Sequence, residues 1–180
     1  ASGALKKGYF MVLHLLDQGV VAPKDLVTEI DSDGQHDPRY IKELCDYYEQ
    51  RAENIDIVLA RSDFDGYPWY KIIVNWGLTL IASLFSLTRY KDVESNFRVM
   101  EAKRFEGLLG FFTGYRYSGA FEVGIILGLQ GLRIDNTYLI HIPRYRAGSR
   151  VIDGLHVLSM GIWAWIKVLF KLKKTNLAEL

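Results

Sequence analysis

Asp31 and Asp33 stand one residue apart in the stretch Asp31-Ser32-Asp33-Gly34-Gln35-His36-Asp37-Pro38, directly after the mainly apolar run LVTEI at 26–30. Two such carboxylates just beyond a buried strand point into one loop, and in open α/β sheets ligands sit outside the carboxyl ends of strands. With the Gln35 amide nearby they offer oxygen donors, which suit a hard divalent cation. Such a cation neutralises a diphosphate and stabilises it as a leaving group. An EF-hand does not fit, because its loop needs an acid at the fifth position and glycine at the sixth. Gly34 is only fourth counted from Asp31. A plain acidic turn that caps the helix opened by Pro38 is the simpler alternative. Among the other chemistry-bearing residues, His36 reads as local turn packing, and His14, His141 and His156 show no ligand spacing. Cys45 packs in the helix after the acidic loop, with no neighbour in sequence that argues for a nucleophile.

The elements that must position these residues follow from periodicity and punctuation. Residues 5–18 carry apolar residues at helical spacing up to Gly19. Residues 26–30 read as a short buried strand, and Asp37-Pro38 as a helix start that continues through 40–53. Residues 55–60 (IDIVLA) form a second buried strand ending at Arg61, followed by a polar loop over 62–68. A long apolar helix is expected over 69–87, a charged loop over 88–96, helices over 100–110 and 119–131, a partly exposed strand over 132–143 and a last helix over 153–174. The glycines of 119–131 lack the strand-turn-helix context of a dinucleotide loop and read as close helix packing. Strands alternating with helices imply an α/β layered domain with a mostly parallel sheet.

Composition narrows the function classes. Of 180 residues, 49% are hydrophobic, and 22 Lys+Arg balance 21 Asp+Glu, so neither a disordered chain nor a strongly cationic nucleic-acid binder is indicated. One cysteine excludes a disulfide scaffold and points to a reducing compartment. The charge is polarised: residues 29–65 carry net −7 and residues 140–174 net +6. No apolar run reaches the roughly 18–20 residues of a spanning helix. Residues 76–87 and 157–170 come close, and both read either as buried core helices or as interfacial helices. Trp163, Trp165 and the following Lys171, Lys173 and Lys174 favour the interfacial alternative for the second.

The run LVTEIDSDGQHDP at 26–38 resembles the metal-binding segment of inverting family 2 glycosyltransferases with the GT-A fold. The branch it is most similar to is the polyprenyl- or dolichyl-phosphate sugar transferases. Further segments match that branch in order: SGALKKG at 2–8, IVLARS at 57–62, WYKIIVN at 69–75, DVESNFR at 92–98 and RYRAGSR at 144–150. The resemblance implies a GT-A-like, Rossmann-like partial catalytic domain over 1–150 and a C-terminal amphipathic, interfacial helix and tail over 151–180. It implies that Asp31, Asp33 and Gln35 hold Mg²⁺ or Mn²⁺ against the diphosphate of a GDP- or UDP-sugar. It also implies that Arg61, Lys71, Asn75, Arg144 and Arg146 hold the acceptor phosphate. Asp92, Ser95 and Arg98 shape the active-site loop, so that Asp33, Asp92 and Arg98 make up the catalytic set. The family more often has Arg and Ser where this chain has Lys71 and Asn75, and Gly where it has Asn96.

The acceptor so implied is polyprenyl or dolichyl phosphate, a phosphate monoester already largely anionic at neutral pH, which needs positioning and charge neutralisation more than a general base. Its chain stays in the bilayer, so the protein is expected at the cytoplasmic face of a membrane, peripheral or monotopic, with no nucleic-acid partner. A family 2 transferase acting on a sugar hydroxyl is the alternative, and it would need Glu122 or Asp92 as its base. A non-catalytic membrane-associated scaffold is a third. The chain opens at Ala1, with no Met and no signal-peptide pattern. The family's opening nucleotide-binding strands have no counterpart here, so a fragment that binds nucleotide-sugar weakly by itself is expected.

Overall fold

The computed structural model describes residues 2–115, 117–142 and 153–170. The element with Arg144 and Arg146, and the lysines at 171, 173 and 174, lie outside the described residues. In chain order the elements are α1 (Ser2–Asp17), β1 (Leu26–Glu29), α2 (Tyr40–Glu49), β2 (Ile57–Leu59), β3 (Arg61–Ser62), α3 (Trp69–Ser86), β4 (Arg98–Glu101), α4 (Arg104–Leu109), α5 (Gly119–Leu129), β5 (Ile134–Asp135), β6 (Leu139–Ile140) and α6 (Asp153–Leu169).

The chain is a mixed α/β protein. Its larger sheet has the order β1-β4-β2-β5, and β3 pairs with β6 in a small second sheet. The expectation of a mostly parallel sheet is corrected: β4 runs antiparallel to both β1 and β2, and only β2–β5 is parallel there. The reason is where the chain re-enters. The loop before β4 lies at the carboxyl ends of β1 and β2, so β4 must start there, with Arg98 opposite both Glu29 and Leu59. Residues 100 and 101, expected to open a helix, therefore close a strand, and the helix begins at Arg104. The helix after the acidic loop starts at Tyr40, because Asp37 and Pro38 spend their carbonyls on a preceding turn to the amides of Tyr40 and Ile41. The expected strand over 132–143 is broken into β5 and β6.

Alternation along β2 explains its unbroken apolar run. Val58 and Ala60 pack with Leu44 and Tyr48 of α2. Ile57 faces Met100, Phe105 and Leu108, and Leu59 faces Ala82, Phe121 and Ile125. A strand covered on both faces has no polar side to show. Helix α5 is buried from Gly119 through Gly128 and packs against α3 and α6. Small residues make that possible. A Cβ on Gly161 of α6 would sit 2.0 Å from Phe121 Cε1 and 2.9 Å from Ile125 Cδ1. Gly161→Ala is therefore expected to lower unfolding free energy by about 1–3 kcal/mol through overpacking, measured by urea denaturation. Unchanged stability would mean that α6 does not sit this close in solution.

Helix α3 starts after Pro68, whose extended backbone (φ −62°, ψ 139°) leads into the first turn. It stops at Leu87, which adopts the left-handed region (φ 56°) while 91% exposed. That position ordinarily goes to glycine, because a Cβ is penalised there. Leu87→Gly is expected to raise the thermal midpoint, by about 1 kcal/mol of stability, since no buried contact is lost.

Candidate functional site

Three loops meet at the carboxyl ends of β1 and β2. The first leaves β1 and carries Asp31, Asp33 and Gln35. Its shape is set internally. The Asp31 N–H donates to His36 Nδ1 at 3.0 Å, and the His36 ring packs on Phe97 with centroids 5.2 Å apart. Burial pushes the His36 pKa down despite Asp31, Asp33 and Asp92. The neutral ring thus keeps its acceptor nitrogen, as local turn packing requires. Asp33 accepts from the Gln35 backbone N–H at 3.0 Å and from Gln35 Nε2 at 2.6 Å. Gly34, at φ 83°, supplies the left-handed step between them.

The loop 88–97 supplies the second wall. Asn96 Nδ2 donates to Asp31 Oδ1 at 3.1 Å and more loosely to Oδ2 at 3.4 Å. Asn96 thus orients the first carboxylate of the acidic loop. Asp92 is buried. It accepts from the Ser62 N–H at 3.0 Å and from Asn75 Nδ2 at 3.1 Å, so it ties β3 to α3. Burial raises the Asp92 pKa, against the hydrogen bonds from Ser62 and Asn75 and the charge of Arg61. Asn75 also accepts from Thr79 Oγ1 at 3.0 Å, so its amide is already engaged on both sides.

The third part is Arg61 at the start of β3. It is half-buried, and its Nε has neither a hydrogen-bond partner nor solvent contact. Lys71 lies half-buried in the first turn of α3. Asp31, Asp33, Gln35, Arg61, Asn75 and Asp92 are thus carried by loops and helix ends that converge on one end of the sheet.

Arg98 is placed differently from a substrate-facing group. It is 1% exposed, and its Nη2 donates to the Ser95 carbonyl and to Asn96 Oδ1, both at 3.3 Å. Its Nε lies 3.5 Å from Glu29 Oε1, an ion-pair distance between two buried groups. Glu29 in turn accepts from Tyr9 Oη at 2.6 Å. Burial lifts the Glu29 pKa, with Arg98 and Tyr9 pulling it down. Arg98 acts through others: the chain Tyr9–Glu29–Arg98–Asn96–Asp31 runs from α1 to the acidic loop. Sequence reasoning passed over Glu29 and Tyr9, although an acid inside an apolar strand is itself a signal that a buried partner must exist.

Glu94 was also passed over. Its Oε1 has no hydrogen-bond partner and no solvent contact. Burial, then the charge of Asp92, lifts its pKa to about 8, against the pull of Arg98. The native state therefore holds this proton to a higher pH than the unfolded chain does. Stability is expected to fall as pH rises from the ordinary glutamate range to about 8. Glu94→Gln should remove that decline and exceed the parent by on the order of 2 kcal/mol above pH 8, while matching it near pH 5. Denaturation midpoints across that range check it, and parallel curves for the two proteins would refute it.

Glu122, the other base considered for a hydroxyl acceptor, is fully buried in α5. It accepts from the Thr113 N–H at 2.9 Å and the Gly114 N–H at 3.4 Å, and from the Thr113 hydroxyl, with Lys167 Nζ 3.8 Å away. It staples the 111–118 segment to α5 and faces no opening.

Among the described residues, no three His, Cys, Asp or Glu side chains come together as a self-sufficient metal site. The acidic loop nevertheless fits a Mg²⁺-type ion. Such ions keep several waters and take one or two carboxylates plus substrate phosphates. Asp31 and Asp33 supply those carboxylates, and both retain oxygen lone pairs beyond the hydrogen bonds they accept.

Helix α3 borders this end of the molecule and exposes Trp69, Ile73, Trp76, Leu80 and Leu84, one stripe at helical spacing that the exposed Leu87 extends just past its end. Helix α6 buries Val157, Gly161, Ala164 and Lys167 and exposes Leu155, Ile162, Trp163, Leu169 and Phe170. Among the described residues no helix is long and apolar enough to cross a membrane. No protein-family model matches the chain, and no curated protein matches it significantly.

Proposed function

We propose that the chain is a family 2, GT-A-type transferase that moves a sugar from a GDP- or UDP-sugar onto polyprenyl or dolichyl phosphate at the cytoplasmic face of a membrane. The observation that carries this reading is the convergence of the Asp31–Gln35 loop, Arg61 and the Asp92 loop beside an exposed apolar helix. Asp31 and Asp33, with Gln35, would hold the cation. Charge neutralisation of the departing diphosphate is the chemistry a bound Mg²⁺ or Mn²⁺ supplies there. A phosphate oxygen of the acceptor attacks the anomeric carbon, the bond to the nucleoside diphosphate breaks, and the configuration inverts. Arg61, whose Nε awaits a partner, and Lys71 would position the acceptor phosphate. Asn75, Asp92 and Arg98 hold the loops in register. Arg144 and Arg146 belong to the same proposal by resemblance alone.

Two features favour a phosphate over a sugar hydroxyl as acceptor. Asp92 and Glu122, the carboxylates available as bases, are buried and already accept hydrogen bonds. The apolar stripe of α3 gives a lipid-linked acceptor a surface to reach, with Trp76 69% exposed. The test is direct. The full encoded protein is incubated with labelled GDP- and UDP-sugars, Mg²⁺ or Mn²⁺, and either polyprenyl phosphate or a soluble glycan. Label in the organic phase is the expected result. Label only on the glycan would replace this acceptor by the hydroxyl reading, and no transfer to either would favour the scaffold.

A further inference from the structure

Along the outer edge of β5 lies a cleft of about 560 Å³. It lies at the sheet edge opposite β1, the strand that leads into the acidic loop, and meets the 88–97 loop at Lys91. Arg89, Lys91 and Arg133 line it, with Asn54 and Thr137. Arg133 is committed elsewhere: its Nε lies 3.0 Å from Asp56 Oδ2, and its Nη1 donates to the Glu53 carbonyl at 2.6 Å. Asp56 is shared again with Arg104 at 2.7 Å, so one carboxylate serves two guanidinium groups. Asp135 is the acid in the wall. Burial favours its protonation, but hydrogen bonds from Thr137 and Tyr47 outweigh that and keep it ionised. Arg89 and Lys91 are exposed and have no ion pair or side-chain hydrogen bond among the described residues.

The wall carrying Lys91 is rigid. The N–H groups of Lys91 and Asp92 donate to Asn136 Oδ1 at 2.7 and 2.8 Å, and Asn136 Nδ2 donates to the Leu59 carbonyl at 2.8 Å. A buried asparagine thus clamps the Lys91 backbone to β2. Two cations, one a planar donor fork and one a point charge, face a cleft with the neutral Asn54 amide at its rim, while the acid of the wall, Asp135, is held by both Thr137 donors and the Tyr47 hydroxyl. That is the chemistry that receives phosphoryl oxygens.

We propose that this cleft is a second, anion-binding site, which holds a phosphate-bearing ligand between Arg89 and Lys91. The phosphate has two possible sources: a soluble phosphorylated molecule, or an anionic lipid headgroup. The second is available because the exposed Leu84 of α3 and Leu87 just after it precede Arg89 by a few residues.

The test uses the whole chain in metal-free, low-salt buffer, which keeps the acidic loop out of the measurement. Pyrophosphate is titrated calorimetrically, and co-sedimentation is measured with phosphatidylcholine vesicles, with and without phosphatidic acid. Each is repeated on Arg89→Ala/Lys91→Ala, whose fold is checked by circular dichroism. Both positions are exposed, so the double variant should fold. A drop of about tenfold in pyrophosphate affinity assigns the site to a soluble ligand. A similar drop confined to the anionic vesicles assigns it to a headgroup. The proposal falls if neither probe binds the parent, or if the double variant binds both probes as the parent does.

Discussion

Replacing Arg98 by Met is expected to cost about 3–5 kcal/mol of folding stability. The substitution leaves Glu29 without its cation in a place that water does not reach. Tyr9 Oη still donates to Glu29 Oε2, but Oε1 then loses its cation while the charge of Asp31 still opposes it. Domains of this kind hold only about 5–15 kcal/mol in total, so the variant should sit near its unfolding midpoint in mild denaturant. Adding Glu29→Gln to Arg98→Met removes the orphaned charge and should recover part of the loss. The double variant would then be more stable than the sum of the two singles predicts. Urea midpoints for the four proteins give the coupling directly. A loss below about 1 kcal/mol for Arg98→Met would mean that water or rearrangement solvates Glu29.

In the full encoded protein, Asp31→Asn with Asp33→Asn is expected to reduce sugar transfer by at least about a thousandfold, given what one preorganised charge is worth at a developing oxyanion. Stability should barely move. Asp33 is exposed and Asp31 half-buried, and asparagine keeps their size and much of their hydrogen-bonding capacity. Loss of transfer with an unchanged thermal midpoint separates a chemical role from a structural one. Retention of full transfer in a well-folded variant would remove the acidic loop from the mechanism. A manganese titration followed by electron paramagnetic resonance gives a second readout that needs no substrate.

These two predictions differ in how visible their residues were beforehand. The acidic loop was legible because strand, DxD pattern and Asp-Pro lie within one short window, where period and punctuation operate. The apolar runs that became α3, α5 and α6 were legible for the same reason. Strand β4 was not. Its four residues, Arg98–Glu101, begin and end with charges, and nothing nearby makes Arg98 a core residue. The cause is Glu29, brought opposite it by the register of β1 on β4. Glu122 illustrates the same limit. Placed on a helix with an apolar surround, it resembles a free catalytic carboxylate until the folded chain brings Thr113, Gly114 and Lys167 around it. The mixed direction of the sheet was hidden too, because strand polarity depends on which end of the sheet a long loop returns to.

The burial of α5 on all sides has a consequence during synthesis. Gly119–Leu129 leaves the ribosome well before α6, whose Val157, Gly161 and Ala164 complete its covering. At usual elongation rates, the interval from Leu129 to Leu169 lasts roughly 2–8 s. Throughout it a largely apolar segment, with Glu122 as its one charged group, has only part of its final shelter. The nascent chain should therefore recruit hold-type chaperones in that window. Slowing translation between the two helices should lower soluble yield even though the finished protein is unchanged.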